Sequence, residues 1–145
     1  MPVNRPSAGS LVLRLLVAAG LVVDAVIHLH LAAGYQLAQP SGIGEGNLFR
    51  IESAMALVAA AYVLVRASRP AYALAAVVAL GGLAAVLLSR YVNVPAFGPI
   101  PSVYEPIWFF QKVLSAVSQA VAGVLALVGV FHRRGAQRSA VDVGS

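Results

Sequence analysis

The chain has 145 residues, 60% of them hydrophobic and only 10% charged, with a mean hydropathy of +0.86. A water-soluble domain of this length would need far more polar surface to cover its core. The net charge of +5 does not point to nucleic acid, because the basic residues flank apolar runs instead of forming a continuous stripe, and the lack of cysteine excludes disulfides, Cys-ligated metal centres, thiol redox chemistry and c-type haem attachment.

Residues 1–10 form a short polar arm, with Ser10 placed to cap a first helix. An apolar run then covers 11–33 and is broken only by Arg14, Asp24, His28 and His30. It is too long for the apolar core of a signal peptide and is followed by further spans, so it reads as an uncleaved helix ending near Gly34. The glycine-rich stretch with Pro40 that follows has turn character. A second run covers 48–65 and stops before Arg66-Ala-Ser-Arg-Pro70, a tight basic turn whose proline suits the start of the next helix. The third run, 71–88, ends at Ser89-Arg90-Tyr91.

A proline-rich segment with Phe97, Tyr104 and Glu105 comes next and reads as a rigid cap over one end of a bundle. The fourth run, 107–131, opens on Ile107-Trp108-Phe109-Phe110, an interfacial aromatic belt. Residues 132–145 are basic, then small and polar, and read as a disordered tail. Each run is roughly 27–37 Å long as a helix, enough to cross a hydrocarbon core. The expected fold is all-α: a polytopic membrane protein built as an antiparallel bundle of four transmembrane helices, with one domain spanning 11–131.

Seven of the ten basic residues fall on the side that holds both termini; Arg50, Arg90 and Lys112 fall on the other. The positive-inside rule then predicts a multi-pass protein of a bacterial cytoplasmic (inner) membrane with both termini cytoplasmic. The lipid bilayer is its expected partner. A larger membrane complex or a homo-oligomer is compatible with this reading, and nucleic acid is not.

Ionisable groups at bilayer depth are costly and mark the place to look for function. Asp24 and His28 stand four residues apart and share one helical face, about 14 Å and 8 Å inside the outer edge. Gly20 continues that face and would let a neighbouring helix approach. His30 lies about 200° around from His28 and belongs at the periphery. Glu52 sits at a depth similar to His28, and the fourth run contributes a polar stripe of Gln111, Ser115, Ser118 and Gln119, with Lys112 one position off it.

The third span reads as packing, so the expected pocket is polar, in the outer leaflet, and built by the first, second and fourth spans. Asp24, His28, Glu52, Gln111 and Lys112 could simply satisfy one another, with Glu52 and Lys112 as an ion pair, or the same residues with Gln119 could handle a ligand or a proton. Asp24, His28 and Glu52 could hold copper, zinc, iron or manganese. His28 could instead handle a proton or a small polar ligand between two carboxylates. Haem ligation by His28 or His30 lacks a second inward histidine. No cofactor is required by the sequence. No serine sits in a nucleophile elbow, which favours a binding or accessory protein over an enzyme.

The segment Ile27-His-Leu-His-Leu-Ala-Ala-Gly-Tyr35, followed by an acidic or polar start to the second span, resembles a family of small bacterial four-helix membrane proteins. The architecture is also similar to that of DoxX-type four-helix proteins. The resemblance covers the first third of the chain. It implies a membrane bundle and assigns no catalytic residue.

Overall fold

A computed structural model of the chain describes residues 5–144. Four helices account for its regular structure: α1 (Ala8–Ala38), α2 (Glu45–Arg66), α3 (Arg69–Tyr91) and α4 (Phe110–Val143). All four are long and apolar enough to cross a membrane. They run up and down in turn. α1 packs on α2 and α4, and α3 on α4, whereas α1 and α3 are diagonal and barely touch. One end of the bundle, the loop end, holds the α1–α2 and α3–α4 connections. The other, the terminal end, holds both chain termini and the α2–α3 turn.

The residues that meet inside the bundle are small. Ala25, Ala56, Ala59, Ala75, Ala79, Ala122 and Ala126 are fully buried, whereas Leu15, Val26, Val58, Val77 and Val124 face outward. In water this arrangement would expose an untenable apolar surface. In lipid it is the sensible one: hydrocarbon solvates the branched side chains, and close backbone approach supplies the packing energy. Gly20 fulfils its expected role, since a Cβ there would stand 2.9 Å from the Cβ of Ala122 on α4.

Several helix ends differ from the sequence expectation, each for a local reason. α1 starts at Ala8 because Ser7, not Ser10, is the cap; its side chain accepts from the Ser10 backbone N–H at 3.2 Å. It also runs a turn beyond Gly34, because Tyr35 and Gln36 are anchored there by partners outside the helix: Tyr35 donates to Glu105, and Gln36 accepts from the Asn47 N–H at 3.0 Å. α4 begins at Phe110, not at 107, since Pro106 precedes a stretch whose last residue, Phe109, is extended. It continues to Val143, through the segment expected to be a disordered tail, where Ala, Arg and Gln favour helix. Ser68 caps α3, with a proline in the first turn.

The proline-rich segment folds over the loop end, as the sequence suggests for a cap. The Ile43 N–H donates to the Pro99 carbonyl at 2.8 Å, and the Glu105 N–H donates to the Ser89 carbonyl at 2.7 Å. These two backbone bonds tie the α3–α4 connection to the α1–α2 loop and to the end of α3.

Candidate functional site

Beneath this cap lies a cavity of about 320 Å³ with contributions from all four helices. Its walls are mostly aliphatic or aromatic, from Ile27 and Leu31 on α1, Phe49 and Met55 on α2, and Ala85 and Val86 on α3. α3 is therefore part of the site, not packing alone as its sequence suggests. Ile51, Met55, Gly81 and Ala85 line the cavity and are also exposed, so it opens sideways between α2 and α3 toward the lipid-facing surface.

The polar floor is built by helical phase. Asp24 and His28, one turn apart on α1, are both buried. His28 Nδ1 lies 3.1 Å from Asp24 Oδ1 and 3.0 Å from the Asp24 backbone carbonyl. A carbonyl only accepts, so Nδ1 carries the proton, and Nε2 is the nitrogen left for the cavity. Ser115 on α4 donates to Asp24 Oδ1 at 2.6 Å. Phe49 packs edge-on to the imidazole, ring centres 5.0 Å apart. Ser53 on α2 donates to the Ala25 carbonyl at 3.0 Å and fixes α2 against α1 at this level. The order of groups is serine, aspartate, histidine. In a nucleophilic triad the histidine must lie between the other two to take the serine proton, so this arrangement orients the imidazole and does not activate Ser115.

Glu52 also lines the cavity, half-buried, with Oε1 buried and unpartnered. It does not pair with Lys112 as expected. Lys112 instead donates to the Glu105 backbone carbonyl at 2.7 Å, with its carboxylate 3.9 Å away and the Trp108 ring centre at 5.8 Å. The long lysine stem reaches upward into the folded connection, which the sequence offered no way to place. Glu52 turns toward α3 and α4. A Cβ at Gly82 would stand 2.7 Å from Glu52 Oε1 and would also collide with the Gln119 amide. Gln119 is fully buried, with neither amide atom partnered. Gly82, itself on the cavity lining, thus gives two polar side chains room to converge at the cavity's edge. Gln111 is half-buried on the cavity lining, and His30 is exposed at the periphery.

Nearer the loop end the cavity carries a second polar group of residues. Tyr35 donates to the Glu105 carboxylate and packs on Phe49, ring centres 4.7 Å apart. Glu45, in the first turn of α2, is buried beside them. Sequence reasoning missed Tyr35 and Glu45 as site residues because it ended the first span at 33 and began the second at 48, and it missed Phe49, inside the second run, because an apolar residue there reads as span. The one available signal was Glu45 itself, an acidic residue just after a glycine, as at a helix start.

No group of three or more His, Cys, Asp or Glu among the described residues is arranged to hold a metal ion. The expected set of Asp24, His28 and Glu52 is divided: Asp24 is held by Ser115 and His28, while Glu52 Oε1 is directed to the Gly82 side. No family model, curated protein or solved structure matches the chain, so the site stands on its geometry alone.

Proposed function

We propose that this chain is a small membrane binding protein, accessory to other machinery, whose cavity takes an apolar molecule with a hydrogen-bond-donating head, such as a hydroxyl or an amine. The observation that carries this reading is a mostly apolar cavity, open toward lipid, whose floor presents two groups able to accept: Glu52 Oε1, buried and without a partner, and His28, whose Nε2 is the ring nitrogen that Asp24 does not engage. Small-molecule sites have this composition, apolar walls with a few placed polar groups. Glu45, Glu52 and Glu105 against the single Lys112 make the lining acid-rich, so it suits a donor or cation and disfavours an anion.

Trp108, the chain's single tryptophan, does not line the cavity but lies against Lys112, which does, so a ligand that moves Lys112 should alter its fluorescence. In lipid nanodiscs, decylamine or decanol should change the Trp108 signal saturably, whereas decanoate should not. Glu52→Leu should weaken the decylamine response by about tenfold or more, the loss of one charged hydrogen bond of roughly 1.5–3 kcal/mol. Equal responses to all three amphiphiles, or none, would refute the reading.

The same reading places the protein in a bacterial cytoplasmic membrane with the cavity in the outer leaflet and both termini inside, supported by the basic residues gathered at the terminal end. The absence of cysteine makes the test direct. Ser41→Cys and Phe97→Cys should react with an impermeant maleimide added to intact cells, and Ser139→Cys only after lysis. The reverse pattern would invert the orientation.

A further inference from the structure

At the terminal end, Arg5, Arg14, Arg66, His132 and Arg133 surround an open cleft of about 520 Å³ with the first turn of α1. Three helices bring these side chains together: α1 supplies Arg14, α2 its last residue Arg66, and α4 His132 and Arg133. No acidic side chain lines the cleft, and the first turn of α1 has none, so the positive end of that helix adds to the potential. The arginine contacts given by the structure are long and go to neutral acceptors. Arg14 Nη1 donates to the Leu64 carbonyl at 3.3 Å, and Arg133 Nη2 donates to Ser10 Oγ at 3.4 Å. The neighbouring cleft bounded by Arg69, Arg134 and Arg138 differs, because Asp142 is part of its lining.

We propose that the cleft of Arg5, Arg14, Arg66 and Arg133 is a phosphate-binding site. Several guanidinium groups brought together without a carboxylate repel one another unless an anion sits among them, and their planar forks match phosphate oxygens in pairs. The level is right for a lipid headgroup. Arg66 closes α2, and Arg14 lies about 9 Å along α1 from its start, so the cleft spans the boundary between the apolar spans and the polar end. Basic pockets between membrane helices recognise anionic headgroups in this way. The phosphodiester of an anionic phospholipid and free inorganic phosphate present the same chemistry.

Native mass spectrometry of the full chain in detergent, with phosphatidylglycerol and phosphatidylcholine at equal concentration, tests the lipid source. Thermal unfolding in inorganic phosphate against chloride at matched ionic strength tests the free one. Phosphatidylglycerol should be retained in preference to phosphatidylcholine. The Arg66→Gln/Arg133→Gln variant should lower its affinity by roughly 25-fold, about fivefold per arginine. The Arg69→Gln/Arg138→Gln variant, which removes the same charge from the other cleft, should keep the preference. Stabilisation by phosphate that the Arg66→Gln/Arg133→Gln change abolishes, with no preference between lipids, upholds the site and assigns it to a soluble phosphate. Equal retention of both lipids with no phosphate effect overturns the proposal. So does a preference, or a phosphate effect, that survives the Arg66→Gln/Arg133→Gln change.

Discussion

His28→Leu should be among the most destabilising single changes in the bundle, at about 3 kcal/mol, the cost of taking the imidazole N–H away from a buried carboxylate. Asp24 is 1% exposed, and its Oδ2 already lacks a partner. Without the imidazole, only the Ser115 hydroxyl remains to hold the carboxylate. Adding Asp24→Leu to the same chain should recover most of the loss, since apolar residues of similar volume commonly replace a whole buried pair at little cost. Asp24→Asn should fall between, because an amide oxygen can still accept from Ser115 and His28. Reversible unfolding in mixed detergent micelles measures each variant. If the double variant were as unstable as His28→Leu alone, the pair would not be the source of the loss.

The cycle also separates architecture from function. The recovered double variant should be a folded bundle that no longer gives the saturable Trp108 response, because His28 Nε2 is gone from the floor of the cavity. A folded double variant with an unchanged response would leave Glu52 as the sole polar determinant of binding.

The four spans were legible because lipid demands long uninterrupted apolar helices, and that demand is written locally in residue type. The face shared by Asp24 and His28 followed from spacing alone, as did the burial of Gln119. What the sequence did not disclose depends on contacts distant along the chain. Lys112 was assigned to Glu52 by depth, yet it binds Glu105, because the α3–α4 connection folds back over the bundle mouth through the Glu105–Ser89 and Pro99–Ile43 backbone bonds. Tyr35 and Glu45 were lost to an assumed loop for the same reason. Gly34 looks like a helix end, but it stands in open space and the helix passes through it, held beyond by Tyr35 and Gln36. Local signals fixed the spans; the tertiary contacts of one irregular segment decided where the helices end and which side chains close the cavity.

Two glycines at the loop end should respond with opposite signs to the same substitution. Gly46, in the first turn of α2, is buried against α1: a Cβ would stand 2.6 Å from Gln36 Cβ and 2.8 Å from the Gln36 backbone N, and would also run into the Ala32 carbonyl. These are atoms at the core of a helix and cannot swing aside, so Gly46→Ala must push α2 away from α1. The expected cost is about 1–3 kcal/mol, with Gly46→Val worse, as for overpacking of a close-fitted interior. The displacement would also break the Asn47–Gln36 hydrogen bond and shift Phe49, which packs against both His28 and Tyr35. Ligand response should therefore fall together with stability. Gly34 meets nothing within 4 Å, so Gly34→Ala adds no clash and removes a poor helix former. It should stabilise by up to about 1 kcal/mol and leave the ligand response unchanged. Parallel unfolding curves for the two alanine variants are the measurement. Two shifts of the same sign would show that the close seating of α2 on α1 is not what shapes the cavity wall.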